Sequence, residues 1–71
     1  MNEHISSAYN RDLEAIQTLV MKMGGMVEDA IMSAAKSLET RDIELAEKVR
    51  TADKQIDALE LQINEEAARI I

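Results

Sequence analysis

Apolar residues recur at helical spacing on both sides of one break, Thr40-Arg41-Asp42, and no other periodicity in the chain competes with it. Before the break, Leu13, Val20, Val27 and Ala34 repeat every seven residues, and so do Ile16, Met23 and Ala30. Leu19, Met26, Ile31 and Leu38 widen this seam into a core-facing stripe. After the break, Leu45, Val49, Ala52, Ile56, Leu59, Ile63, Ala67 and Ile70 follow at gaps of three or four, again one face of a helix. The spacing predicts a first helix over about 7–38, roughly 48 Å long at 1.5 Å per residue. A turn over about 39–42 and a second helix over about 43–71 follow. Ser6 or Ser7 is the expected N-cap of the first helix, and Thr40 or Asp42 that of the second. Glu44 and Glu47 suit the positive end of the second helix dipole. So short a connection between two long helices implies an antiparallel, all-α two-helix hairpin.

Composition agrees and narrows the function. Proline, phenylalanine and tryptophan are absent, Tyr9 is the only aromatic residue, and helix-forming residues dominate. A net charge of −6 disfavours nucleic acid, whose phosphates call for basic clusters. Apolar runs fall far short of the roughly 20 residues of a membrane span, and the N-terminus lacks the basic and apolar regions of a signal peptide. The expectation is a cytoplasmic chain that does not span a membrane. Without cysteine there is no disulfide and no thiolate metal site. The single histidine, His4, reads as an exposed residue and not a ligand. No nucleophile–base arrangement or glycine-rich phosphate loop is present, and a di-iron carboxylate enzyme would need Glu-x-x-His pairs that this chain lacks. The chain is not expected to be an enzyme.

A core of 71 residues seldom suffices alone, and a two-helix hairpin covers only one side of each apolar band. The second stripe stays in register to Ile70-Ile71 without a cap, which predicts a cut inside a helix or just before another element. Two hairpins dimerising into a four-helix bundle, or truncation from a three-helix bundle, would each cover the open flanks. Gly24-Gly25 sits mid-helix, where each glycine costs about 1 kcal/mol against alanine. Close approach of a neighbouring helix, or a bend, is the expected return. Met23 and Met26 fill core gaps, whereas Met21 and Met32 lie off the seam and suit a partner-facing patch.

The stretch Val49–Ile63 interleaves the apolar stripe with carboxylates. Asp53, Asp57 and Glu60 project from one side of the helix at spacings of four and three. Like charges so placed repel by roughly 0.2–0.5 kcal/mol per pair. A pair of oxygen ligands one turn apart, with Glu60 as accessory, would suit Mg, Ca, Mn or oxidised iron. A solvated acidic face is the other reading: Arg50 precedes Asp53 by three and Lys54 precedes Asp57 by three, so ordinary helix pairs can neutralise both.

His4-Ile5 followed by Leu13, then Met23-Gly24 with Val27-Glu28, resembles the first helix of the PhoU family. The stretch Arg41-Asp42-Ile43-Glu44-Leu45-Ala46-Glu47-Lys48-Val49, with Asp53 through Ile63, resembles its second helix. The resemblance covers nearly the whole chain. It implies a negative regulator of phosphate uptake and the phosphate-starvation response, built from two three-helix bundles. As partners it implies the ATPase of the phosphate ABC transporter and a sensor histidine kinase. Some members bind iron or zinc clusters through repeated (Glu/Asp)-x-x-x-Asp motifs, and Asp53-x-x-x-Asp57 matches the second-helix copy. The copy expected on a third helix is not in this chain, so the resemblance implies a metal half-site at Asp53 and Asp57. The alternative function is a generic helical-hairpin oligomerisation module with no role in phosphate physiology.

Overall fold

The computed structural model describes residues 2–71, with side chains described from Ser7 onward. Two helices make up the fold: α1 over Asn2–Thr40 and α2 over Ile43–Ile70. Helix α1 begins ahead of the capping serines proposed from the sequence. Ser6 and Ser7 lie inside it and not at its start. A serine followed by helix formers supports continuation as readily as a start, since Ser7-Ala8-Tyr9 carries no breaker. His4 and the side chain of Ser6 lie outside the described side chains.

The turn is built from three residues with separate tasks. Arg41 takes the left-handed conformation, φ 54°, that ends α1. This lets the Asp42 amide donate to the Ser37 carbonyl at 3.0 Å, closing the last turn as a Schellman bond. Asp42, in extended geometry, then caps α2: its Oδ1 accepts from the Leu45 amide at 3.0 Å. Of the two caps expected, Asp42 is therefore the one used. Thr40 instead donates its hydroxyl to the Lys36 carbonyl at 2.8 Å within α1. Glu44 lies in the first turn of α2 and Arg69 in the last, each matching the dipole.

The helices pack antiparallel, Ser33 beside Leu45 and Met26 beside Gln55 and Leu59. Far from the turn, the hydrogen bond and charge of Glu66 hold the Arg69 guanidinium above its ordinary pKa, and the charge of Asp12 on α1 adds a smaller push in the same direction.

Little is buried. Ala30, Leu59 and Ser37 are the buried side chains among the described residues, and none is fully enclosed. The Ser37 hydroxyl meets its burial locally, donating to the Ala34 carbonyl at 2.7 Å. The second-helix stripe matches expectation throughout, every member from Leu45 to Ile70 being at least half-buried. On α1 the line Ile16, Met23, Ala30, Ser37 faces α2. In the parallel line Leu13 and Val20 are exposed, at 37% and 44%, while Val27 and Ala34 nearer the turn are half-buried. One partner helix covers one strip of a broad apolar face, and α1 carries two.

Extents of 59 × 15 × 12 Å describe a rod. Its radius of gyration is 16.8 Å, against about 11 Å for a compact domain of this length. Its accessible surface is 5996 Å², where a compact monomer of 7.9 kDa would expose about 4,400 Å². A standard protein interface removes about 800 Å² from each partner, so the excess of roughly 1,600 Å² is about twice one partner's share.

Candidate functional site

The groove between the helices differs on its two sides. One side is rimmed by Asp29, Ser33, Lys48 and Gln55 over an apolar floor of Met26, Ala30, Leu45, Val49 and Ala52, with Lys22 and Gln62 further along. The other is lined by Val27, Ala30, Ile31 and Ala34 of α1 and by Val49, Asp53 and Ile56 of α2. Asp53 is the single charged residue in that lining. The apolar strip continues along α1 at four- and three-residue steps through Val20, Gly24, Val27, Ile31, Ala34 and Leu38. Ile31 is 63% exposed and Leu38 81%. Large aliphatic side chains are thus left open to solvent along this strip.

Asp53, Asp57 and Glu60 are all exposed and on one edge of α2, as their spacing requires. The structure separates their surroundings. Asp53 borders the apolar groove, while Asp57 and Glu60 are not among the residues lining it. The neutralisation expected from nearby bases is also absent among the described residues. Arg50 pairs with Glu47 at 3.5 Å, both side chains largely exposed, and Lys54 makes no ion pair.

As a metal centre these residues are insufficient. Among the described residues, no three His, Cys, Asp or Glu side chains converge on a point that could hold an ion. The α1 side chains facing Asp53 across the groove are Val27, Ile31 and Ala34, which offer no donor atom. Hard cations take six or more oxygens, and structural transition-metal sites four ligands. Carboxylates along one helix edge supply too few, so no chemistry is assigned to a metal here.

The glycine pair also departs from expectation. A methyl group added at Gly24 or at Gly25 would meet nothing within 4 Å, so α2 makes no close approach there. Gly24 lies in the open apolar strip and Gly25 further round α1. Met21 and Met32 are 78% and 71% exposed, off the seam as their positions indicate, and Met23 and Met26 are half-buried. Ser37, a polar residue at the buried end of the α1 line, was not legible as core. Its four-residue distance from Ser33 and seven from Ala30 is the signal that could have placed it there.

The described residues form an all-α hairpin with a groove on each side, one of them rimmed by charged and amide side chains. The chain belongs to the PhoU family: the model of the PhoU domain matches residues 20–71. It is 42% identical, over its whole length, to the phosphate-specific transport system accessory protein PhoU of Escherichia coli (strain K12), of which it covers 30%. It is 39% identical to the protein of that name from Serratia marcescens, covering all of this chain and 29% of the relative. It is 38% identical to the PhoU homolog of Pseudomonas putida, again over the whole chain and 28% of the relative. The chain thus spans about 30% of the length of the relatives it matches. No solved structure matches it. No helix among the described residues is long and apolar enough to cross a membrane.

Proposed function

We propose that this chain is the helical hairpin of a non-enzymatic accessory protein of phosphate uptake, working in the cytoplasm. In this reading it acts as a negative regulator of the phosphate-starvation response, by contact with the transporter ATPase and a sensor histidine kinase. The supporting observation is a pairing of two facts. The hairpin resembles transport accessory proteins along its whole length, and it leaves an apolar groove and large aliphatic side chains open to solvent. Helix faces offered to other proteins need no reactive constellation.

A phosphate-responsive reporter tests the reading. Deleting the gene that encodes this hairpin should switch the reporter on in high phosphate, and restoring the intact gene should silence it. A reporter indifferent to the gene at both high and low phosphate would reject the regulatory role and favour a plain oligomerisation module.

A further inference from the structure

We infer that the outer face of α1, the side turned away from α2, is a docking surface for a basic amphipathic helix of another protein. The proposal rests on reading the chain as one that works by contact, and not on any role in phosphate signalling.

Six exposed residues carry the surface: Glu14, Met21, Gly25, Glu28, Met32 and Glu39. Their steps of seven, four, three, four and seven keep them in one line along α1, about 38 Å from end to end. Met23 and Ala30, on the line that faces α2, are each two residues from a methionine of the outer line, about 200° around the helix axis. No member of the outer line borders either groove between the helices.

Three features of this line serve nothing within the hairpin. Met21 and Met32 stand 78% and 71% exposed, apolar side chains turned to water. Gly25 weakens a helix interior, yet a methyl group there would meet nothing within 4 Å, so packing against α2 does not require it. Glu14, Glu28 and Glu39 form no ion pair among the described residues, although Lys22 and Lys36 lie on the same helix.

Each feature specifies part of the occupant. Methionine is an adaptable contact that suits the apolar face of a partner helix. A glycine between two methionines lets a crossing helix come close to the α1 backbone, since side-chain size at the contact sets the distance between axes. Carboxylates before, between and beyond the methionines call for lysine or arginine flanking the partner's apolar face. Spacing decides against a metal: Glu14 and Glu28 are about 21 Å apart along the axis and Glu28 and Glu39 about 17 Å, so no two can share an ion. A second copy docked by this line would add carboxylates where bases are needed. The phosphates of nucleic acid or anionic lipid would be repelled in the same way.

The test titrates the protein with a fluorescent synthetic helix that has leucines along one face and lysines on both flanks. Two control peptides replace the lysines by glutamates, or scramble the sequence so that no apolar face forms. The lysine helix should bind about tenfold tighter than either control. Gly25→Leu, which fills the point of closest approach, should weaken binding about tenfold, and so should Met21→Ser combined with Met32→Ser. Glu28→Gln should cost only about threefold, because an exposed ion pair is weak. Glu65→Gln, an equal change of charge on α2, should cost nothing. Circular dichroism checks that each variant keeps its helices. A photo-crosslinker on the lysine helix reads the site on the unaltered protein as well, with adducts expected between Met21 and Met32. Failure of the lysine helix to outbind its controls, indifference to Gly25→Leu in a folded variant, equal losses from Glu28→Gln and Glu65→Gln, or adducts confined to α2 would each overturn the proposal. The phosphate reporter enters none of these readings, so this proposal and the regulatory one fail separately.

Discussion

Arg50 lies 3.5 Å from Glu47, and its guanidinium forms no ion pair with Asp53. Both residues stand one helical turn from Arg50, on opposite sides of it in sequence. Choosing Glu47 leaves a solvent-side pair, worth at most a fraction of a kcal/mol when this exposed. Asp53 is left at the edge of the apolar groove without an ion pair among the described residues. That asymmetry turns an ordinary acidic helix edge into a constraint on whatever docks there.

If the charge of Asp53 guards the groove, removing it should make the hairpin self-adhesive. Asp53→Leu is expected to raise the average mass in sedimentation equilibrium, because a continuous apolar strip can then pair with its copy. Asp57→Leu, one turn away and outside the lining, should change the mass much less. Equal association of the two variants would show that the groove does not discriminate between these positions.

Asp42 joins the two helices by capping α2 with its side chain and closing α1 with its amide. Asp42→Ala keeps the amide and removes the cap. It should destabilise the hairpin by about 1 kcal/mol, read as a lower thermal midpoint. Asp42→Asn, which still accepts from the Leu45 amide, should recover most of the loss.

Arg41 adopts its left-handed backbone without the freedom of glycine. Arg41→Gly should be neutral or stabilising by up to about 1 kcal/mol, while a β-branched Arg41→Val should destabilise by roughly 1–2 kcal/mol. Thermal unfolding of the two variants measures both. A valine that costs nothing would mean the turn has another conformation in solution.

Gly24→Ala and Gly25→Ala should each increase helicity in the isolated chain, by about 0.5–1 kcal/mol, because the added methyl group meets no neighbour.

The hairpin itself was legible because its signals are local. Thr40-Arg41-Asp42 interrupts two long apolar periods, and every residue of the second stripe lies where its spacing puts it. The start of α1 was not legible, since Ser6 and Ser7 read equally well as caps or as tolerated helix residues. Nor could the sequence divide the two apolar lines of α1. The lines through Leu13 and through Ile16 have the same period, and only the position of α2 shows which is covered. The carboxylate ladder was visible as a row, but spacing along one helix cannot say which member borders a groove formed with another. Asp53 acquires its distinct environment from Val27, Ile31 and Ala34, residues far away in sequence.

Circular dichroism of the isolated chain, recorded over a concentration series with sedimentation in parallel, bears most directly on the central claim that the groove is an uncovered docking surface. Helicity and thermal midpoint should be low when the chain is monomeric. Both should rise as it associates at higher concentration. A dilute monomer that is fully helical and melts cooperatively at high temperature, with no change on concentration, would contradict it.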